Sequence, residues 1–256
     1  MKVKNISFGH DKTSYLFNHL SLEIPRGKIT TIIGPNGCGK STLLGLLTKG
    51  HKARTGEITL DGENLNSMKQ KAFARKVAVL HQHNSENLSM TVRELVAYGR
   101  TPHQKMCEGI TQEAEKIIDW ALDCTKLKDL ENRSLGALSG GQRQRAWLAM
   151  ALCQKPEILF LDEPTTYLDM YYQMELLELV KRLNAKYNMT IVMVLHDINQ
   201  ALNYSDHIIV MKAGQVLKTG SPKDMADESL IQEVYNIKGK FYEEDGKYYL
   251  LQLATS

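Results

Sequence analysis

Two glycine-bearing motifs set far apart constrain this chain more than any other feature. Near the start, Gly34-Pro35-Asn36-Gly37-Cys38-Gly39-Lys40-Ser41-Thr42 fits the pattern G-x-x-x-x-G-K-[ST] without a mismatch. Much later comes a second glycine turn, Leu138-Ser139-Gly140-Gly141-Gln142, and after it the apolar run Ile158-Leu159-Phe160-Leu161 ending in Asp162-Glu163. Ahead of the first motif, Ile29-Thr30-Thr31-Ile32-Ile33 reads as a buried strand, and Thr42-Leu43-Leu44-Gly45-Leu46-Leu47 behind it reads as a helix. In that context main-chain N–H groups turn inward around phosphates, and the helix N-terminus adds a favourable partial charge. Lys40 then reaches the β- and γ-phosphates of a nucleotide, and the Ser41 hydroxyl ligates Mg²⁺. By composition alone such a match arises in roughly one chain of this length in a hundred. A flanking strand and helix make an accidental turn rarer still.

Composition enters mainly through what it excludes. At 256 residues the chain can bury one large core or two small ones. A net charge of +3, with scattered Lys and Arg, argues against a nucleic-acid partner. No apolar stretch approaches the ~20 residues that span a bilayer. The N-terminal residues pass straight into a strand-like pattern without a signal-peptide core, so the expectation is a soluble chain without an export signal. Cys38, Cys107, Cys124 and Cys153 form no C-x-x-C and read as small buried residues. Cys38 lies inside the glycine loop, so alkylating it is expected to block nucleotide binding, with bound ATP protecting the thiol.

Short β-rich runs at 29–33, 77–80, 158–161, 191–195 and 208–211 alternate with helical stretches, which predicts a largely parallel α/β sheet. Gly56 to Gly62 reads as a strand closing on an Asp-Gly turn, predicting an antiparallel layer beside it. Between about 86 and 154 the pattern turns helical. Thr91 and Thr111 are good N-caps, and Ile117, Ile118, Ala121 and Leu122 share one helix face. The tail from 221 resembles a small hairpin to which the sequence attaches no chemistry. The expected organisation is a single domain over 1–256. An α/β core with its β layer occupies 1–85 and 156–220, a helical subdomain 86–155, and the tail 221–256.

The later motifs carry chemistry by position. Open α/β sheets bind ligands at the carboxyl ends of their strands, where Asp162 and Glu163 emerge. Asp162 suits Mg²⁺, directly or through water; Glu163, pointing the other way, suits polarising an attacking water. His196 follows the run Ile191-Val192-Met193-Val194-Leu195 and is placed to contact a γ-phosphate. Gln82, after Val77-Ala78-Val79-Leu80, has an amide able to reach Mg²⁺ or water.

Taken together these residues resemble the ATP-binding subunit of an ABC transporter, from about residue 3 to 220 and in the family's order. Gly34–Thr42 is similar to the Walker A loop, Gln82 to the Q-loop, and Leu138–Gln142 to the signature. Ile158–Glu163 is similar to Walker B with its catalytic glutamate, Leu168-Asp169 to the D-loop and His196 to the switch histidine. The resemblance implies a P-loop NTPase (RecA-like) core with an antiparallel β layer and an inserted helical subdomain. It also implies a head-to-tail homodimer binding ATP between Walker A of one copy and Ser139, Gly140, Gly141 and Gln142 of the other, with Asp169 alongside. The adenine-stacking aromatic, usually Tyr, matches Phe8, with Tyr15 as the substitute because the spacing from Phe8 to Gly34 is slightly long.

Pro164-Thr165-Thr166-Tyr167-Leu168-Asp169, Thr91 to Arg100, Gln142 to Arg145 and Val194 to Gln200 are similar to a narrower group, the ATPases of bacterial iron–siderophore importers. That group is related to those for ferric hydroxamates, haem and cobalamin. The implied partners are a second copy, transmembrane permease subunits and, indirectly, a substrate-binding protein, with the chain on the cytoplasmic face of the membrane. Import of haem or cobalamin, or a soluble ABC ATPase of the iron–sulfur assembly type, are the alternatives.

Overall fold

The computed structural model describes residues 1–11, 13–81, 88–104 and 109–255. Gln82 and Cys107 lie outside the described residues. Packing groups the chain into one unit of Met1–Met68 with Thr190–Ser256 and a second of Lys69–Met189.

The first unit opens with β1 (Lys2–Phe8), β2 (Phe17–Glu23), β3 (Ile29–Ile33) and helix α1 (Lys40–Leu47). β4 (Thr55–Leu60) and β5 (Glu63–Asn64) follow, joined by Asp61 and Gly62 at φ 54° and 83°. Two successive positive φ values suit the tight hairpin turn that the Asp-Gly pair predicts. These strands form an antiparallel sheet in the order β2-β1-β4-β5.

The second unit holds α2 (Gln70–Lys76), β6 (Val77–Leu80), α3 (Val92–Tyr98), α4 (Gln112–Cys124), α5 (Gly140–Cys153), β7 (Ile158–Asp162) and α6 (Met170–Tyr187). β6 and β7 pair in parallel, Val77 opposite Ile158. The helices begin where short polar side chains satisfy their first N–H groups. Thr91 and Glu94 make a reciprocal capping box on α3, and the Thr111 hydroxyl accepts from the Ala114 N–H on α4. On α4, Ile118, Ala121 and Leu122 are buried and Ile117 is half-buried. Arg93 pairs with Glu115, with Asp119 at 2.9 Å and with Glu131 at 2.5 Å, while Lys128 reaches Asp119 at 2.6 Å.

The chain then returns to the first unit with β8 (Thr190–Val194), α7 (Ile198–Tyr204), β9 (His207–Lys212) and β10 (Gln215–Gly220). Parallel β8 and β9 flank β3, and β10 pairs antiparallel with β9. Every residue of β3 and β8 is buried, as expected of parallel strands covered on both faces. Residues past 221 form more than the expected hairpin: α8 (Pro222–Met225) and α9 (Glu228–Tyr235) precede β11 (Ile237–Glu244) and β12 (Lys247–Thr255). No helix among the described residues is long and apolar enough to cross a membrane.

Candidate active site

β3 ends at Ile33 and the glycine loop begins at once. Gly37 and Gly39 take φ values of 75° and 105°. At Gly39 a Cβ would lie 2.8 Å from the Phe17 ring, so both conformation and space require glycine. α1 starts at Lys40 with no side-chain cap, leaving its first N–H groups to whatever occupies the loop. The Lys40 ammonium is buried and donates to the carbonyls of Gly34 at 2.8 Å and Pro35 at 3.0 Å. No carboxylate among the described residues pairs with it. A buried cation beside an uncapped helix start fits an anionic phosphate chain. Ser41 and Thr42 follow in the first turn of α1, and Asn36 shares the loop with Pro35 and Gly37.

Cys38 is only 4% exposed, its sulfur 2.8 Å from where a Cβ on Gly34 would stand. Burial pushes its thiol up despite the nearby Lys40 ammonium. A buried neutral thiol is a poor nucleophile. Alkylation at Cys38 is therefore expected to be slow even without nucleotide.

His196 leaves β8 on the same side. Ile32 on β3 stands opposite Val194 on β8, so Gly34 and His196 both lie two residues beyond one rung of the ladder. His196 is exposed, and Asp197 caps α7 behind it by accepting from the Gln200 N–H at 2.8 Å. Parallel register thus brings the loop and the histidine to one end of the first unit.

Phe8, the ring expected to stack on adenine, is packed into the first unit. Its ring is 8% exposed, with His10 at 5.1 Å, His51 at 5.3 Å and Phe17 at 6.5 Å around it. Tyr15 is 56% exposed, with the Arg54 guanidinium 4.8 Å over its ring. The exposed ring beside the loop is His10, whose Nε2 lies 3.4 Å from the Thr42 hydroxyl. The sequence did not single out His10, a polar ring just past the end of β1.

In the second unit, β7 delivers Asp162 and then Glu163, which is half-buried and held at φ 49°. Such a conformation is uncommon away from glycine and concentrates at functional sites. The Thr166 hydroxyl donates to Glu163 Oε2 at 3.2 Å. Asp169 caps α6, accepting from the Tyr172 N–H at 3.1 Å, so its carboxylate already has a main-chain partner. Gln144 donates from α5 to the Pro164 carbonyl at 3.2 Å.

Ser139 caps α5 in a reciprocal box with Gln142, accepting from the Gln142 N–H at 3.2 Å and donating its own N–H to Oε1 at 3.0 Å. The Gln142 amide oxygen is thereby engaged locally. Ser139 and Gly140 are exposed, whereas Gly141 is buried. A Cβ on Gly141 would stand 2.9 Å from the Tyr172 ring. Tyr172 therefore ties the second glycine turn to the Asp169 cap, a link the sequence did not reveal. Among the described residues, no group of three His, Cys, Asp or Glu could hold a metal by itself. Ser41 in the first unit and Asp162 in the second each present a hard oxygen donor of a type that Mg²⁺ takes.

A family profile described as ABC transporter matches residues 17–166. The chain is 42% identical over 247 residues to the petrobactin import ATP-binding protein FpuC of Bacillus anthracis, covering 96% of this chain and 90% of that one. It is 44% identical over 218 residues to the iron(3+)-hydroxamate import ATP-binding protein FhuC of Bacillus subtilis (strain 168), covering 85% and 81%. A solved dimeric ATP-binding cassette in a post-hydrolysis state, bound to ADP and Pi, superposes with a TM-score of 0.73 at 29% identity, covering 86% of this chain and 98% of that one.

Proposed function

This chain belongs to the ABC transporter family, and we propose that it is the ATPase that drives uptake of a ferric siderophore through partner permease subunits. The observation that carries the nucleotide half of this reading is the buried Lys40 ammonium at the uncapped start of α1. The cargo half is supported by relatives named for import of petrobactin and of iron(3+)-hydroxamate, two different iron chelates.

In this reading Gly34 to Thr42 wraps the phosphates, Lys40 neutralises the β- and γ-oxygens, and Ser41, Gln82 and Asp162 hold Mg²⁺. Bound there, Mg²⁺ offsets the charge that develops on the transferred phosphoryl group. Glu163 takes a proton from the attacking water, and His196 orients that water through the γ-phosphate. His10, in place of Phe8, lies against the base. Ser139 and Gly140 of a second copy complete the phosphate shell, with the N–H groups at the start of α5 adding their partial charge. Closure of two copies on ATP, and reopening after phosphate release, gives the permease its alternating access. The chain then works as a peripheral subunit on the cytoplasmic face of a bacterial membrane. A substrate-binding protein delivers the cargo on the other side.

The test is uptake of radiolabelled iron from ferric siderophores, with labelled haem in parallel, in cells carrying either the wild-type chain or only Glu163→Gln. Loss of siderophore-iron uptake alone is expected. Unchanged siderophore-iron uptake would overturn the cargo assignment, with cobalamin the next substrate to assay.

A further inference from the structure

The C-terminal segment, to which the sequence attached no chemistry, makes a specific contact with the helix behind His196. Asn199 lies on α7, three residues beyond that histidine. Its Nδ2 donates to the Leu250 carbonyl at 3.2 Å, and the Leu250 N–H donates back to Oδ1 at 2.6 Å. One side-chain amide thus satisfies both main-chain groups of a single residue on β12, as a neighbouring strand would. One turn along α7, Asn203 donates to the Tyr248 carbonyl at 3.2 Å and to the Asn199 carbonyl at 2.9 Å. Residues four apart share a helix face, so both asparagines address the same strand.

Apolar packing reinforces the contact. Ile198, Ala201 and Leu202 of α7 share one buried cluster with Leu250, with Ile231 and Val234 of α9, and with Ile33, the residue before the glycine loop. The segment therefore touches the supports of both the loop and the histidine within one unit.

We propose that β12 is a latch on α7 and that Asn199 is a positioning residue for His196, resting on the reading of His196 given above. The latch fixes where the His196 turn leaves β8, so it affects the chemical step more than nucleotide binding. A side chain that served only to hold the fold together would lower thermal stability without a specific link to His196.

The test compares Asn199→Ala, His196→Ala and the double variant in the full transporter complex, measuring kcat and KM for ATP together with amide exchange over residues 196–204. Asn199→Ala is expected to lower kcat about five- to tenfold with KM unchanged within about twofold. Exchange over 196–204 is expected to accelerate, and the double variant to be no slower than His196→Ala alone, since the two act as one unit. Asn199→Asp keeps the acceptor for the Leu250 N–H and carries the same test should the alanine variant fail to fold. Unchanged exchange overturns the latch. An equal fractional loss of kcat in both backgrounds, or no loss in Asn199→Ala, overturns the positioning role alone. Wild-type turnover in His196→Ala overturns the reading of His196 and the positioning role with it.

Discussion

Lys40 shows how a single side chain couples folding to function. Its ammonium is buried against two neutral carbonyls, a weak environment for a desolvated cation. ATP phosphates would relieve that deficit, so Lys40→Ala is expected to abolish ATP binding in equilibrium titration; retained micromolar affinity would contradict the assignment. Glu163→Gln is expected to bind ATP yet turn over at least tens of times more slowly, within the usual range for loss of a general base. Near-normal steady-state turnover would remove Glu163 from that role. At Cys38 the expected outcome is slow labelling by a maleimide in the folded protein and rapid labelling once it is denatured, followed by mass spectrometry. The glycine loop was legible because its chemistry is written in consecutive residues. The packing of the rings near the loop was not legible. Burial of Phe8 depends on Phe17 from the next strand and on His51, distant in sequence, packing against it.

At the scale of elements, the strands and capped helices followed from local rules: β-branched runs made β3 and β8, and Thr91 and Thr111 began α3 and α4. Links between elements did not follow, because they depend on approach distances that no local pattern encodes. The Gly141–Tyr172 contact is one such link. Gly141→Ala would press a methyl group into the Tyr172 ring, and is expected to cost about 1–3 kcal/mol by overpacking. Gly141→Ala/Tyr172→Ala should recover part of that loss in thermal unfolding; no recovery would assign the cost to the α5 backbone instead. The Asp227 cap on α9 gives a pH-dependent counterpart. Hydrogen bonds from the Ser229 hydroxyl and the Leu230 N–H hold its carboxyl down at about 2. A carboxyl depressed on folding contributes stability above its unfolded pKa of ~3.9, and that contribution fades as pH falls toward the folded value. Asp227→Ala is expected to cost about 1 kcal/mol at neutral pH, with the difference from wild type shrinking between about pH 4 and 2. A difference that stays constant over that range in urea titrations would show that the carboxylate is not the source.

For the whole molecule, the sequence order of motifs carried more than any single one: the stretch 17–166 that matches the ABC transporter profile holds the glycine loop, the second glycine turn and the acidic strand end together. The described residues leave Ser139 and Gly140 exposed at the start of α5, Tyr167 exposed before α6, and Met170, Tyr171 and Met174 exposed along its start. In the proposed dimer the glycine loop of a second copy meets Ser139 and Gly140. The C-terminal segment, silent in the sequence, acquires a role only through tertiary contacts with α7. Closure of two copies on ATP before hydrolysis is the step on which the proposed function rests. The measurement to make first is therefore the mass of Glu163→Gln in solution by light scattering, with and without saturating ATP and Mg²⁺. A doubling of mass that requires ATP is expected; a mass that stays at that of one chain would contradict a nucleotide site shared between two copies.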